Sequence, residues 1–574
     1  MTYHAPVAEM ARLARILGHD RLAETARYGE ATPETRTAIL AEAAKLAEGV
    51  MAPLRRTGDS TPARLENGVV RCSPGFRAAY QAIAEGGWVG MNADPEHGGM
   101  GLPLSLMVMV NEMMASANMA LSLCPLLSQG NIEALEAHAS EALKARYLPP
   151  LIAGTWTGTM NLTEPHAGSD VGALRTKAER ADDGSYRITG QKVWITWGDH
   201  DVAENVVHLV LARLPDAPEG SRGISLFLVP KLIPDADGRP GVANRLKVLS
   251  LEHKMGIHGS PTCVMAYEGA QGWLIGEENR GLACMFTMMN NARLGVGIEG
   301  IGIAEGATQA AMAWAMDRVQ GRTADGSTTI VGHADVRRNL MTMKALTRAA
   351  RAICYDCAFS LDMARAAEGA EAAHHAGRGA FLTPIAKAYG TDTGITVATL
   401  CAQVHGGAGY VEETGVPQFL RDVRITSIYE GTNGVQAMDL VGRKLSGDGG
   451  AMAGLLLDEA TAVVEAARAA NHPTLADALN AAVSKARGVT GWMLKTDAVG
   501  RGAGATPYLR LLALVLGGSA LLRAALESGA AEDMALARFH LLQLLPRAHA
   551  EAQAATAGSE MLYALDAETL TSTV

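Results

Sequence analysis

The apolar residues of this chain change their spacing twice, and that pattern limits what it can fold into. Up to about residue 150, segments such as RTAILAEAAKLAEGVMAPL and SLMVMVNEMMASANMALSLCPLL carry helical spacing, broken at Asp94-Pro95-Glu96-His97-Gly98-Gly99. Between about Trp156 and Trp273 the runs SYRITGQKVWIT, VVHLVLARL, ISLFLVPK and TCVMAYEG are short, β-branched or aromatic, and separated by Gly, Asp and Pro, which predicts strands. From about Gly281 helical spacing returns in GIGIAEGATQAAMAWAMDRV, DVRRNLMTMKALTRAARAICYDCAFSLDMARAA and TPIAKAYGTDTGITVATLCAQV, which are long enough to build a bundle. The break Gly447-Asp448-Gly449-Gly450 then opens an Ala-rich helical tail. A chain of 574 residues exceeds the ~250 to 300 at which one core stops growing. The expectation is a mainly α protein with a central β domain. Its predicted parts are an amino-terminal extension (1–32), a helical domain (33–155), a β domain (156–275), a helical bundle (276–446) and a helical extension (447–574).

Charge and cysteine usage exclude several classes. The net charge of -10 is spread along the chain with no run of Lys and Arg, so nucleic acid is not an expected partner. Seven scattered cysteines suit a reducing compartment, and Cys354 and Cys357 form a CxxC inside a helical pattern with no second pair or His cluster, so no metal is expected. The start, MTYHAPVAEMARLARIL, lacks the apolar core of a secretory signal. No stretch reaches ~18 uninterrupted apolar residues, so no membrane is expected and the predicted location is cytoplasmic.

Gly295-Val296-Gly297-Ile298-Glu299-Gly300 matches G-x-G-x-x-G but follows the helical ACMFTMMNNARL, whereas a dinucleotide fingerprint follows a strand. Close helix packing, or a smooth wall for a slender ligand, explains these glycines better. Tyr429-Glu430-Gly431-Thr432-Asn433 places a carboxylate beside apolar residues and before a glycine. Closure of such a site raises the proton affinity of the carboxylate and suits it to take a proton from carbon. Read alone, Glu430 is first of all a surface loop residue ahead of a helix starting near Thr432, and the other motifs are what turn the reading toward a base. Met160-Asn161-Leu162-Thr163-Glu164-Pro165-His166-Ala167-Gly168-Ser169-Asp170 offers hydroxyls and open backbone, and Val193-Trp194-Ile195-Thr196 adds an aromatic face. A flat heteroaromatic cofactor wants that pairing. His405-Gly406-Gly407-Ala408-Gly409-Tyr410, after Gln403, is either a phosphate approach or a helix stop.

Taken in order, TEPHAGSD, KVWIT, NNAR, QVHGGAGY and IYEGTN resemble the acyl-CoA dehydrogenase family of flavoproteins over roughly residues 75 to 445. The resemblance implies a helical domain, a small barrel-like β domain and a four-helix bundle that hold FAD, with a glutamate removing the α-proton of an acyl thioester while the β-hydrogen leaves as hydride. Glu430 falls on the position of that base. Some branches place it just before the arginine that matches Arg293, where this chain has Ala292. The resemblance assigns Met160, Asn161, Leu162, Thr163 and Ser169 to the flavin, with Trp194, Ile195 and Thr196 along it. It assigns Gln403, Gly406, Gly407 and Arg318 to the FAD of a second subunit, and Thr432 and Asn433 to the adenine-side phosphates. Ser169, Asn290, Arg293 and Gly431 fall to the acyl-CoA.

The chain departs from the family pattern at Arg318-Val319-Gln320-Gly321, RTADGSTT and His333-Ala334, which puts the Arg318 contact in question. Its long tail is similar to that of members acting on 3-methylthiopropanoyl-CoA, though related long members take ordinary fatty acyl-CoAs. The implied reaction forms a trans-2-enoyl-CoA, with electron-transferring flavoprotein as oxidant and a homodimer as the assembly. An acyl-CoA oxidase and a non-catalytic flavin-binding assembly protein are the alternatives.

Overall fold

The computed structural model describes residues 3–572, without the side chain of Asn290. The chain forms two compact units. One holds Glu34–Gly295 together with the residues up to Ala5, and the other holds Pro6–Pro33 and Val296–Val574.

In the first unit, the helix Leu104–His138 is buried along most of its length and bends at Asn118, whose φ of -161° and ψ of 89° are not helical. The Asn118 side chain repairs the break. Its Oδ1 accepts from the Leu121 N–H at 3.2 Å, acting as an internal cap, while its Nδ2 donates to the Met51 carbonyl at 3.3 Å. By length and mean hydropathy this helix could cross a membrane, and so could Ala498–Ser528, although polar residues interrupt both. Their apolar windows are 94% and 67% buried within the protein, as in core helices.

The helical reading of residues 33–155 is corrected at one point. Strands β1 (Arg64–Glu66) and β2 (Val69–Arg71) pair as a hairpin around Asn67-Gly68, both in the left-handed region at φ 50° and 78°. Asn-Gly is the dipeptide such a two-residue turn requires. The β domain follows with β3 (Trp156–Asn161), β4 (Lys177–Arg180), β5 (Tyr186–Thr196), β6 (Asn205–Arg213), β7 (Ile224–Pro230), β8 (Leu232–Pro234), β9 (Pro240–Ala243), β10 (Leu246–Leu251) and β11 (Thr262–Ile275). Strand β7 pairs with both β6 and β11, and β11, β5, β4 and β6 pair in succession, so the sheet closes on itself. Ile188, Ile195, Val210, Phe227, Met265 and Tyr267 fill its interior, and Val70 from the hairpin joins them.

In the second unit, Ala334–Ala366 and Gly369–His405 pack along each other, and the tail helix Ala498–Ser528 lies against both. A Cβ on Gly517 would come within 2.8 Å of the Ala349 Cβ, so tail and bundle share one core. The expected boundary at 446/447 therefore does not separate compact units, and neither do those at 155/156 and 275/276. The glycines of the rejected fingerprint serve as close packing. A Cβ on Gly300 would meet the Gly390 carbonyl oxygen at 2.4 Å, and one on Gly390 would meet the Gly297 carbonyl oxygen at 2.5 Å.

The amino-terminal helix Val7–Ile16 is fastened in this unit by charge. Arg348 grips both carboxylate oxygens of Glu9 at 2.8 Å, and Arg351 adds a bond at 2.7 Å while reaching Glu305 at 2.7 Å. Burial opposes ionisation of Glu9, but the two guanidinium groups outweigh it and hold its carboxyl below the usual value.

Candidate active site

Glu430 sits in a turn that its neighbours over-determine. Its φ of 54° is unusual for a residue with a side chain, and Gly431 follows at φ 85°. Such backbone persists when surrounding bonds fix it. Gln436 Nε2 donates to the Glu430 and Gly431 carbonyls at 3.4 and 3.2 Å. Thr432 caps the helix Asn433–Asp439, its Oγ1 accepting from the Val435 N–H at 3.2 Å. Asn433 ties the turn to the 369–405 helix. Its Oδ1 accepts from the buried Lys387 Nζ at 3.0 Å, and its Nδ2 donates to Asp392 Oδ1 at 2.7 Å. These side chains are committed to the protein, so Thr432 and Asn433 offer mainly backbone to a ligand.

Just before Glu430, the Tyr429 hydroxyl donates to Glu299 Oε2. Glu299 is 2% exposed on the helix Gly281–Asp317. Burial lifts its carboxyl to about 8, the Tyr429 bond works against that rise, the charge of Glu430 adds to it, and Lys387 opposes it. Burial together with Glu299 pushes the Tyr429 phenol well up. Glu299 and Lys387 were not among the sequence candidates. The readable signal was a lone charge inside an otherwise apolar helical run, in GVGIEGIGI and TPIAKAYG.

In the first unit the structure joins the motifs TEPHAGSD and KVWIT. Lys192 Nζ, fully buried, donates to Glu164 Oε1 and to the Leu162 carbonyl at 2.9 Å each, and the Val193 N–H donates to the Thr163 carbonyl at 3.0 Å. Burial raises the proton affinity of Glu164. The Lys192 charge and bonds from Thr176, Lys192 and the Arg175 N–H together overcome that and hold its carboxyl below the usual range. Between Lys192 and Ile195 the pairing of β5 with β11 slips, and Trp194 adopts φ 60°. The irregularity re-aims its side chain. Trp194 is 60% exposed, whereas Trp156 and Trp197 are 2% and 0%.

Two sequence-assigned side chains point elsewhere. Ile195 belongs to the barrel core, because alternation along the strand sends it inward. Asn161 is buried, its Nδ2 donating to Thr159 Oγ1 at 2.8 Å and its Oδ1 accepting from the Tyr267 hydroxyl at 2.9 Å. Only their backbone remains for a ligand. Met160, Leu162, Thr163 and Thr196 are partly buried, and Ser169 is exposed. Arg293 is buried with its guanidinium 5.9 Å from the Phe286 ring centre. The side chain of Asn290 lies outside the described residues.

In the second unit the atypical segment after Arg318 is folded, with the Ile330 N–H donating to the Arg318 carbonyl at 2.8 Å. The Arg318 guanidinium lies 6.0 Å from the Trp314 ring centre, and Trp314 stacks on His405 at 5.1 Å. Trp314 thus links Arg318 to His405, in the segment that also carries the exposed Gln403, Gly406 and Gly407.

Comparison with known proteins assigns the chain to a family. Residues 33–155 match the acyl-CoA dehydrogenase N-terminal domain, 159–270 the middle domain and 279–445 the C-terminal domain. The chain belongs to the acyl-CoA dehydrogenase family. Residues 456–566 also match the domain described as acetyl-CoA dehydrogenase C-terminal like. The 3-methylmercaptopropionyl-CoA dehydrogenase of Ruegeria pomeroyi is 47% identical over 455 residues, 78% of this chain and 77% of that one. Caenorhabditis elegans ACDH-11, solved in complex with C11-CoA, has the same fold at a TM-score of 0.81 and 20% identity, covering 98% of this chain and 95% of its own. An acyl-CoA dehydrogenase of Bacillus anthracis, solved with FAD, aligns at a TM-score of 0.70 and 20% identity over 98% of this chain and 90% of its own.

The protein is an acyl-CoA dehydrogenase whose family cofactor is FAD. The residues present fit that group. An aromatic face held outward by left-handed backbone, with the Thr163 main chain bonded beside it, suits a flat isoalloxazine ring.

Proposed function

We propose that Glu430 removes the α-proton of an acyl-CoA thioester to give the trans-2-enoyl-CoA, with 3-methylthiopropanoyl-CoA or a short to medium fatty acyl-CoA as substrate. The supporting observation is the turn itself, which keeps a partly buried carboxylate in a left-handed conformation by bonds from Gln436, Thr432, Asn433 and Tyr429. A thioester α-proton is weakly acidic, so the acyl oxygen needs hydrogen-bond donors as negative charge develops on it. Gly431, at φ 85°, leaves room for Gln436, whose Nε2 a Cβ there would meet at 2.8 Å, and the main-chain N–H beside the base is the donor proposed for that oxygen. FAD, when bound, supplies the acceptor for the β-hydrogen and its electron pair.

Met160, Leu162, Thr163, Ser169, Trp194 and Thr196 take the flavin-holding role. Arg293, Asn290 and Gly431 take the acyl-CoA role. The thioether preference rests on the likeness to the Ruegeria protein.

Electron-transferring flavoprotein is the proposed oxidant, the cytoplasm the proposed location, and a homodimer the proposed assembly. For the last, Gln403, Gly406, Gly407 and the 92% exposed Tyr410 offer a surface to a second copy. Light scattering at the mass of one 60.1 kDa chain would refute the dimer.

The decisive experiment mixes the purified flavoprotein anaerobically with 3-methylthiopropanoyl-CoA and with straight-chain acyl-CoAs and follows loss of the oxidised flavin colour. Rapid bleaching by the thioether thioester, slowed by about 10² to 10⁴ in Glu430→Gln, is expected for loss of a positioned base. Bleaching at the parent rate in that variant removes Glu430 from the chemistry. Fast reoxidation by oxygen instead of by electron-transferring flavoprotein would make the protein an oxidase.

A further inference from the structure

A second carboxyl group stands behind the base turn, and neither the proton transfer nor cofactor binding uses it. Glu299 is buried between Gly297 and Gly300, the residues at which its helix meets the 369–405 helix most closely. Its Oε2 accepts from the Tyr429 hydroxyl, while its Oε1 has no hydrogen-bond partner among the described residues. The titratable groups that bear on it are Tyr429 and Glu430 from the loop and Lys387 from the 369–405 helix. Lys387 is engaged with Asn433, and Tyr429 gives its only proton to Glu299. A buried carboxylate with so few donors is better satisfied by keeping its own proton.

We propose that Glu299 is a positioning residue for Glu430: it latches the base turn through Tyr429 and presents to the base a neutral carboxyl instead of a second negative charge. The proposal rests on the reading of Glu430 as the base. Its physical content is twofold. The Glu299–Tyr429 bond anchors the residue directly before a left-handed backbone position, where loss of one restraint lets the turn relax. Two ionised carboxylates in electrostatic reach of each other would also raise each other's proton affinity, and the base would then be partly protonated when it must accept a proton. Neutrality of Glu299 is what leaves Glu430 free to be the anion.

The test uses the intact flavoprotein and four near-isosteric or truncating variants. Infrared spectra taken as pH rises through about 8 should show the carbonyl stretch of a protonated carboxyl group that disappears, and Glu299→Gln should lack that band. In anaerobic stopped flow, Glu299→Gln keeps an acceptor for Tyr429 and a neutral group, and should reduce its flavin within a few-fold of the parent. Glu299→Ala and Tyr429→Phe break the latch and should slow reduction by about 10-fold or more at saturating acyl-CoA, the effect of one lost hydrogen bond. The pH profile of the parent rate should carry an inflection near pH 8 that Glu299→Gln lacks. Parent-like rates in both latch-breaking variants, or no such infrared band at neutral pH, would overturn the proposal. Its failure is separable from that of the underlying reading, because Glu430→Gln reports on the base alone. If Glu430→Gln still bleaches at the parent rate, the base assignment falls and the latch has nothing to position.

Discussion

Glu299 makes a prediction about stability that needs no substrate. Its proton affinity is raised from the ordinary 4.5 to about 8 by burial, so the folded protein keeps a proton that the unfolded chain releases. For a raised group, the stabilising contribution is complete below the unfolded value and is lost as pH climbs through the folded one. The window is therefore pH 4.5 to about 8. Within it stability falls by about 1.4 kcal/mol per pH unit, to a total on the order of 5 kcal/mol. Glu299→Gln has the same shape and no proton to lose. Denaturant midpoints for parent and variant, measured at several pH values with equal flavin loading, should coincide near the lower edge of the window. They should separate steadily above it, with Gln the more stable. Two midpoint curves running parallel from acid to alkaline pH would mean that Glu299 is ionised throughout, and the reasoning from burial and donor count would fail.

Two further perturbations probe buried charge in the two units. Glu9→Gln should destabilise the second unit by about 1 to 3 kcal/mol, because it leaves the fully buried Arg351 with Glu305 as its one remaining carboxylate among the described ion pairs. Since the Glu9 carboxyl is held below 4.5, its contribution is present above that value and lost as pH falls, so parent and variant should converge in acid denaturation series. In the first unit, Lys192→Met should cost about 3 to 5 kcal/mol by leaving Glu164 buried without its cation, and adding Glu164→Gln should restore most of it. A shift in Trp194 fluorescence in the single variant, reversed in the double, would show that the pair also sets the bulge. Full stability of Lys192→Met would show that the pair contributes nothing.

What could be read in the sequence was what depends on local spacing. Period 3.6 against period 2 located the helices and the barrel, and a strand-less context disqualified Gly295 to Gly300 as a dinucleotide site. The Asn67-Gly68 hairpin was equally local and was hidden only by the helical pattern around it. Other features depend on which side of an element faces inward. Asn161 and Ile195 sit inside motifs that pointed to a cofactor, yet the pleat turns their side chains into the barrel. The joint core of the tail and the bundle was not legible either. A glycine-rich break such as residues 447–450 looks like a linker, and only the packing of residues 498–528 on the 334–366 helix shows otherwise. Lys387 and Glu299 are some 90 positions apart in the sequence, and their shared bearing on the Glu430 turn exists only after two helices cross at glycines.

The enclosed carboxylates of this protein show how one side-chain type is driven to opposite states. Glu9 meets two arginines, one of them bidentate. Glu164 meets a lysine, a hydroxyl and two main-chain N–H groups. In each the donors outnumber what desolvation demands, and the carboxylate stays charged as a fastener. Glu299, 2% exposed, is buried as deeply as Glu164 at 3% and more deeply than Glu9, but it receives one phenol and only the charge of a lysine committed elsewhere. A fastener would have gathered more donors. A group left short of them beside another carboxylate gains stability from its own proton, and that proton is the variable by which it can act on its neighbour. Donor count thus separates the two kinds of buried acid where depth of burial does not. By that count, supplying Glu299 with a cation through Ile303→Lys, one helical turn away, should convert it into a fastener and erase the pH-dependent gap expected for Glu299→Gln. If the gap survives in that background, donor count is not what keeps Glu299 neutral.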